Sequence, residues 1–421
     1  MDKFLKERHF VTVSDSLKIA RDLDSKDRLA HFRDRFHFDT AGKFYLDGNS
    51  LGRPPKRAIE VVNSVLMKEW GEDLITSWSR WQRLPFEVGD LLATEILGAR
   101  EGEVLIADST TTNLYKALKA ARGLLVAKRG ACVQVITEED NFPTDLYLTA
   151  DLANELGVPW STVRTSPTSG VDLEELRALL ANGPSLVCLS HVSYKSGAKV
   201  DMRVVNDMAS SFDSVVVWDL SHSAGSTEVE LNADGALFAV GCTYKYLNGG
   251  PGAPAFIYVA NEVLDLVDTP IKGWFSQRDQ FEMETSYSPR PGIGKFSNGT
   301  PNIIGTYLVR EGARIIADAG VKDLSEKGGA LGDYFIDLFD ERLSQLGFTL
   351  ESPREPNRRG SHITLGHSKA RQLVPALVEN GVVPDFRTPD LIRFGFASSY
   401  VSFADLYFAA EVIAKVATDL S

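Results

Sequence analysis

The sequence has 421 residues, of which 43% are hydrophobic and 24% charged, as is typical of a soluble globular enzyme of two to three domains or subdomains. A net charge of −12 and a pI near 5.2 argue against nucleic acid or an anionic membrane as a main partner, because both favour basic surfaces. No apolar run approaches the ~20 residues of a membrane span, and the charged amino terminus lacks a signal core. We therefore expect a cytoplasmic protein.

The cysteines and histidines do not show the spacing of metal ligands. Cys132, Cys188 and Cys242 have no CxxC arrangement, and the histidines form no HxxxH or HExxH pattern. We expect the cysteines to be packing residues and predict no catalytic metal.

The first part of the chain is charged and predicts a helical segment over residues 1–45. A short strand then leads into the turn 48–52, and helical spacing of apolar residues after a Pro pair predicts a helix from Lys56 to Trp70. Asn49 and Ser50 either belong to an ordinary turn or are exposed in a loop that lines a site, and both readings stay open.

Trp70, Trp78 and Trp81 lie close together in the next segment. Such a cluster favours core packing, although it is also suited to the wall of a pocket for an aromatic substrate.

A strand predicted over Glu103–Ala107 leads into the hydroxyl-rich turn 108–113 and a helix. Hydroxyl groups and free backbone N–H groups at a helix N-terminus bind anions. A helix cap needs only one hydroxyl, whereas this turn has four in a row, so Thr110 and Thr111 favour a phosphate site over an ordinary cap.

Strand-like and helical segments alternate from residue 131 to residue 212. This order predicts βαβ units in a mostly parallel sheet with helices on both faces, which is an α/β fold. The apolar run Val215–Trp218 predicts the next strand, which ends at Asp219 with His222 close behind. The carboxyl ends of such strands are where ligands bind in open α/β sheets.

A second apolar run, 237–240, leads to Tyr244, Lys245 and a loop rich in Gly and Pro. Burial between aromatic rings disfavours an ammonium ion, so Lys245 is a candidate amine nucleophile. A lysine of this kind holds pyridoxal phosphate (PLP) as a Schiff base, and an aspartate keeps the pyridine nitrogen protonated. Lys245 and Asp219 suit these roles, with His222 against the ring. The alternatives are a solvated lysine and a helix-capping aspartate.

After about residue 256 the pattern changes, and the last part of the chain predicts a small α/β domain. We expect a large domain over 46–310 and a small domain over 311–421. Arg393 lies in the apolar strand 391–396, where a guanidinium is costly unless it meets an anion. A clamp for a substrate carboxylate and a structural ion pair both satisfy this condition.

Together these segments resemble the kynureninase family of the fold type I aminotransferase superfamily. The matching stretches are YLDGNSLG, DSTTTN, NFPTD, WDLSHSAG, CTYKYLNGGPGAP, GWFS, GTPN, RRGSHIT and IRFGFA. The resemblance implies a seven-stranded, mostly parallel sheet in the large domain, a PLP cofactor and a homodimer with shared active sites. Thr112 departs from the family, which has a branched apolar residue there.

The resemblance also implies roles for individual residues. The catalytic set is Lys245, Asp219 and Tyr244, of which Tyr244 is a candidate proton donor. The cofactor contacts are Thr110, Thr111, Phe142, Thr144, Asp145, Ser190, Asp219, His222, Tyr244, Lys245, Trp274 and Thr300, with Trp274 and Thr300 reaching the phosphate from the partner subunit. The substrate contacts are Arg393, Asn49, Ser50 and Trp78.

The implied activity is hydrolysis of L-kynurenine, or of 3-hydroxy-L-kynurenine, to the matching anthranilate and L-alanine. This places the protein in tryptophan catabolism through the kynurenine pathway or in NAD biosynthesis. Trp78 falls where members differ in ring preference, so both substrates stay open. The alternatives are a cysteine desulfurase or selenocysteine lyase, an aminotransferase, and a PLP-binding protein without catalysis. The segment RRGSHIT has no thiol for the first of these.

Overall fold

A computed structural model describes residues 13–38 and 42–420, so part of the predicted segment 1–45 lies outside the described residues. The strands are β1 Phe44–Tyr45, β2 Val104–Ala107, β3 Gln134–Glu138, β4 Trp160–Val163, β5 Thr165–Ser166, β6 Gly170–Val171, β7 Ser185–Ser190, β8 Val215–Asp219, β9 Phe238–Gly241, β10 Ala255–Val259, β11 Thr349–Leu350, β12 His362–Gly366, β13 Val382–Val383, β14 Asp385–Arg387 and β15 Leu391–Gly395. The α-helices are α1 Val13–Ser25, α2 Lys56–Ser64, α3 Trp78–Trp81, α4 Leu84–Glu95, α5 Thr110–Arg129, α6 Pro143–Leu156, α7 Leu173–Leu180, α8 Met202–Ser211, α9 Asn261–Leu264, α10 Ile303–Ala319, α11 Val321–Leu338, α12 Ala370–Glu379 and α13 Phe403–Asp419.

The central sheet has seven strands in the order β2-β10-β9-β8-β7-β3-β4. The five strands from β9 to β4 in this order are parallel to one another, whereas β10 is antiparallel to both β2 and β9. The predicted mostly parallel sheet is therefore confirmed. The strand β10, which follows the Gly/Pro loop directly, was not predicted.

Burial explains why the inner strands read as continuous apolar runs. Every residue of β7, β8, β9 and β10 is buried, as expected for strands covered on both faces. Helix α5 packs across β8, β9 and β10, and α4 packs against β2. Because the parallel strands run in one direction, their carboxyl ends meet at one edge of the sheet.

A second sheet forms in the last part of the chain, with four antiparallel strands in the order β11-β12-β15-β14. The amino-terminal part joins this region, since β1 pairs with β13 and α1 packs against α13. The division into residues 1–45, 46–310 and 311–421 stays a prediction.

Two helices differ from their predicted form. The helix expected over Lys56–Trp70 is α2 to Ser64 and continues as a π-helical segment over Val65–Trp70. The second is the helix that the sequence predicts from Leu324 to Leu346, which is α11 followed by π-helical Phe339–Leu343 and a 3₁₀ turn. Across residues 13–38 and 42–420, no helix combines the length and apolar character that crossing a membrane requires.

Candidate active site

Asp219 is the last residue of β8 and lies at the carboxyl edge of the central sheet. In register it lies beside Ser190 of β7 and Val240 of β9. Its side chain is buried, and Oδ1 accepts a hydrogen bond of 2.7 Å from the backbone N–H of Ser221. The strand therefore delivers a buried carboxylate to the edge where ligands bind in α/β sheets.

Lys245 follows β9 and reaches the same edge. Its Nζ lies 3.2 Å from Nε2 of His222, 6.0 Å from the ring centroid of Phe142 and 5.9 Å from that of Tyr244. Burial, and then the charge of Lys245, holds the pKa of His222 well below its ordinary value. The imidazole is therefore neutral and can accept a hydrogen bond from the amine. The structure brings these four predicted residues together.

Three acidic side chains, those of Asp145, Asp219 and Glu138, are buried together near Lys245. Burial raises the pKa of Asp145 well above its ordinary value, and the neighbouring Asp219 and Glu138 raise it further. Burial also raises the pKa of Glu138 to about 7. Oδ2 of Asp145 is buried without a hydrogen-bond partner. Because an unpaired buried acceptor is costly, this cluster is suited to a bound cation or N–H donor.

A hydrogen-bond network fixes Phe142 beside this cluster. The Ser190 hydroxyl donates to Asn141 Oδ1 at 2.9 Å, and the same oxygen accepts a bond of 2.7 Å from the backbone N–H of Phe142. The backbone N–H of Ser190 donates to Glu138 Oε1 at 2.8 Å. Ser190 therefore supports the loop that carries Phe142, and Thr144 is half-buried in the first turn of α6. Neither Asn141 nor Glu138 was predicted.

The hydroxyl-rich turn begins α5. Ser109 is the N-cap, and its side chain accepts a hydrogen bond from the backbone N–H of Thr112 at 3.3 Å. Ser109, Thr110, Tyr244 and Thr300 line one cavity of about 400 Å³. The cap and an anion site are thus compatible, because the Ser109 hydroxyl makes the cap and bonds to that of Thr112 at 3.2 Å, while Thr110 lines the cavity.

Of the predicted cofactor contacts, Thr300 lines this cavity, and its approach to the phosphate from the partner subunit stays a prediction. Thr111 is exposed in the first turn of α5 and does not line the cavity. Trp274 is 41% exposed and donates from Nε1 to Gln280 at 2.8 Å.

Trp78 lies with Trp274 rather than with Lys245. Its ring packs edge-on against Phe275 with centroids 5.7 Å apart, and Phe275 packs in the same way against Trp274 at 5.3 Å. Trp81 completes the group at 6.4 Å from Trp78. Trp78 and Trp81 therefore belong to a partly buried aromatic group, whereas Trp70 is 60% exposed, and the predicted contact of Trp78 with a substrate stays a prediction.

Arg393 is 1% exposed in β15. Its Nη1 donates to the carbonyl of Tyr194 at 2.6 Å, and its Nη2 donates to the Ser50 hydroxyl at 3.0 Å and to Asp385. The structural ion pair that the sequence left open is thus present. Nε of Arg393 is nevertheless buried without a partner, which leaves donor capacity for a carboxylate.

Asn49 corrects one expectation, because the residue is fully buried rather than exposed. Both polar atoms of its amide lack a hydrogen-bond partner. Its Oδ1 would lie 1.9 Å from a Cβ added at Gly395, so only glycine fits there. Asn49 and Ser50 are therefore held against β15 beside Arg393, and an unpaired buried amide at this point is suited to a polar ligand.

A larger cleft of about 1160 Å³, lined in part by Arg164, Lys199 and Glu228, contains neither Lys245 nor Asp219 nor Arg393. The chemistry-bearing residues instead fit a planar ring with polar groups at both ends. Lys245 lies beside His222, its charge acts on the buried carboxyl group of Asp145, and the neighbouring Tyr244 lines the hydroxyl-rich cavity.

A family model and full-length relatives of known name both match this chain. Residues 324–413 match the family model of the kynureninase C-terminal domain. Kynureninase from Pseudomonas fluorescens is 39% identical over 396 residues, which cover 94% of this chain and 94% of that protein. Kynureninase from Deinococcus radiodurans is 41% identical over 406 residues, which cover 94% and 95%.

Solved structures with lower sequence identity share the fold. The cysteine desulfurase CsdA from Escherichia coli aligns with a TM-score of 0.79 at 16% identity, covering 93% of this chain and 99% of that chain. A mutant of the enzyme C-DES with glycine linked covalently to the PLP cofactor aligns with a TM-score of 0.75 at 17% identity, covering 89% and 97%. These likenesses confirm the predicted fold type I architecture.

Proposed function

Because the chain belongs to the kynureninase family, we propose that it is a PLP-dependent hydrolase that cleaves the Cβ–Cγ bond of L-kynurenine. The products are anthranilate and L-alanine, and 3-hydroxy-L-kynurenine is the alternative substrate. One observation carries the proposal: the buried amine of Lys245 lies beside a neutral imidazole at the sheet edge where Asp219 ends β8.

Lys245 has two tasks in this proposal. Its amine would hold the cofactor, and in its free form Nζ would serve as the base that takes the proton from the substrate Cα. When bound, PLP supplies the electron sink that makes loss of this proton possible. His222 supports both tasks because its neutral ring accepts a hydrogen bond from Nζ without adding a second positive charge.

Asp219 and Asp145 would hold the ring nitrogen of the cofactor in its protonated form. The unpartnered Oδ2 of Asp145 and the contact with Asp219 that raises the pKa of Asp145 both favour a nearby N–H donor. Ser109, Thr110 and the N-terminus of α5 would bind the phosphate of the cofactor.

Tyr244 and Arg393 act on the substrate. Burial, and then the neighbouring Cys242, raises the pKa of Tyr244, so its phenol keeps its proton at neutral pH and can donate it to the departing carbon. Arg393 binds the α-carboxylate through its unpartnered Nε, with Ser50 and Asn49 beside it. Trp78 contributes to the choice between the two aromatic rings.

A homodimer completes the proposal. Exposed apolar side chains occur on two segments, among them Met67, Trp70 and Ile75 at 72%, 60% and 75%, and Phe281 and Met283 at 59% and 68%. The aromatic contacts of Trp78 with Phe275 join these segments. Exposed apolar patches of this kind mark protein interfaces, and a second copy of the chain is the proposed occupant.

The proposed location is the cytoplasm.

The test is a direct assay of the purified protein loaded with PLP. With L-kynurenine and with 3-hydroxy-L-kynurenine in parallel, fluorescent anthranilate products should appear at rates that also establish the ring preference. L-Cysteine is the matched control for desulfurase activity, and no sulfide should form, because Cys188 and Cys242 are buried and Cys132 is partly buried. Sulfide release without anthranilate would overturn the proposal.

A further inference from the structure

Asp385 contacts the predicted carboxylate clamp from the neighbouring strand. β14 pairs with β15 so that Asp385 lies directly opposite Arg393, with both side chains on one face of the sheet. Asp385 Oδ2 accepts a hydrogen bond from Arg393 Nη2 and one of 2.8 Å from the Ser50 hydroxyl. A carboxylate here fixes the guanidinium, but its negative charge also opposes a carboxylate ligand.

Arg387, on the same strand as Asp385, contacts both oxygens of that carboxylate. Its Nη1 lies 2.8 Å from Asp385 Oδ1, and its Nη2 lies 2.7 Å from Oδ2. This is the bidentate geometry of a strong arginine–carboxylate pair. The side chains of Asp385 and Arg393 are only 13% and 1% exposed, so water screens these charges weakly.

The charges show what Arg387 contributes. Arg387, Asp385 and Arg393 together carry one net positive charge. Asp47 is the fourth charged group. Burial raises its pKa to about 6, although a hydrogen bond with Ser50 lowers it, and a carboxyl group with this pKa is ionised at neutral pH. With Arg387 the four groups are then neutral overall, and without it they would carry a net negative charge at the point where a carboxylate must bind.

We propose that Arg387 is a positioning and specificity-determining residue for the substrate carboxylate. By pairing with Asp385, it lets that carboxylate fix the Arg393 guanidinium in place without cancelling its positive charge. The inference rests on the proposed function, in which Arg393 binds the α-carboxylate. Arg387 itself acts through Asp385 and does not contact the substrate.

Arg387→Gln tests the proposal in the PLP-loaded enzyme. The KM for L-kynurenine should rise about tenfold while kcat stays within about twofold, because the uncompensated Asp385 weakens binding of the carboxylate only. Arg387→Lys keeps the charge and should stay within about threefold of the wild-type KM. The inhibition constant of L-alanine should follow KM, whereas that of the amine formed by decarboxylating L-kynurenine should not change.

A double-variant cycle adds a second readout. If Arg387 acts only by neutralising Asp385, its substitution has no further effect once that carboxylate is gone, so Asp385→Asn and the combined variant should share one KM. An unchanged KM in Arg387→Gln, or equal weakening of ligands with and without a carboxylate, would overturn the inference. Arg393→Gln and the assay of the wild type separate the failures: without anthranilate from the wild type the proposed function fails, whereas a large effect of Arg393→Gln with none at Arg387 refutes the inference alone.

Discussion

The buried carboxyl group of Glu138 makes the free energy of unfolding depend on pH. Burial raises the pKa of its carboxyl to about 7, from an ordinary value of 4.5, although Ser190 lowers it through a hydrogen bond to Oε1. The folded protein therefore holds this proton more tightly than the unfolded chain does. The stabilisation that this proton contributes is fully present below pH 4.5 and is lost as the pH rises through 7. The loss is about 3 kcal/mol, since each unit of pKa difference between the folded and unfolded states corresponds to about 1.36 kcal/mol.

Glu138→Gln removes this loss, because glutamine stays neutral and its amide oxygen can still accept the bond from Ser190. The variant should match the wild type at pH 4.5 and be more stable by about 3 kcal/mol at pH 8. The assay is denaturant unfolding, or the melting temperature, from pH 4.5 to pH 8 for both proteins. Glu139→Gln is the matched control, since Glu139 is the exposed neighbour on the chain. Parallel curves for wild type and Glu138→Gln across this range would refute the reasoning.

Three further changes probe other parts of the site. Arg393→Gln should lower kcat/KM for L-kynurenine by about 10²- to 10³-fold, because the charge-assisted hydrogen bond from Nε and the positive charge beside the carboxylate are both lost, and a loss below tenfold would argue against the clamp. Tyr244→Phe should lower kcat by about 10²- to 10⁴-fold in protein saturated with PLP, as expected for loss of a proton donor; normal turnover would exclude that role. Gly395→Ala should destabilise the protein by about 1–3 kcal/mol in thermal unfolding, because its Cβ would meet Asn49 Oδ1, and an unchanged melting temperature would mean that this contact relaxes freely.

The parts of the site that lie at strand ends were predictable from sequence. Asp219 ends an apolar strand and Lys245 closely follows another, and the parallel order of β8 and β9 brings both to one edge. The comparisons confirm the family that these motifs indicated. The strand β10 was missed because it follows a loop of Gly and Pro directly and is antiparallel, so no helix precedes it.

Contacts between distant or laterally paired segments were not predictable. Asp385 meets Arg393 only because β14 and β15 pair, and β14 is too short for its pattern to indicate a strand. Asn49 looked like a loop residue because nothing local shows that Gly395 leaves room for it. The burial of Glu138 depends on the neighbouring strand β7, whose Ser190 holds its carboxylate.

In the proposed function Lys245 holds the cofactor through its amine. The most direct test is reduction of the PLP-loaded protein with borohydride, followed by proteolysis and mass spectrometry of the peptide that carries the pyridoxyl group. We expect the group on Lys245 alone, with the buried Lys116 unmodified because its Nζ already donates to Asp108 and to the carbonyl of Phe296, each at 2.8 Å. A pyridoxyl group on any other lysine, or on none, would contradict the account.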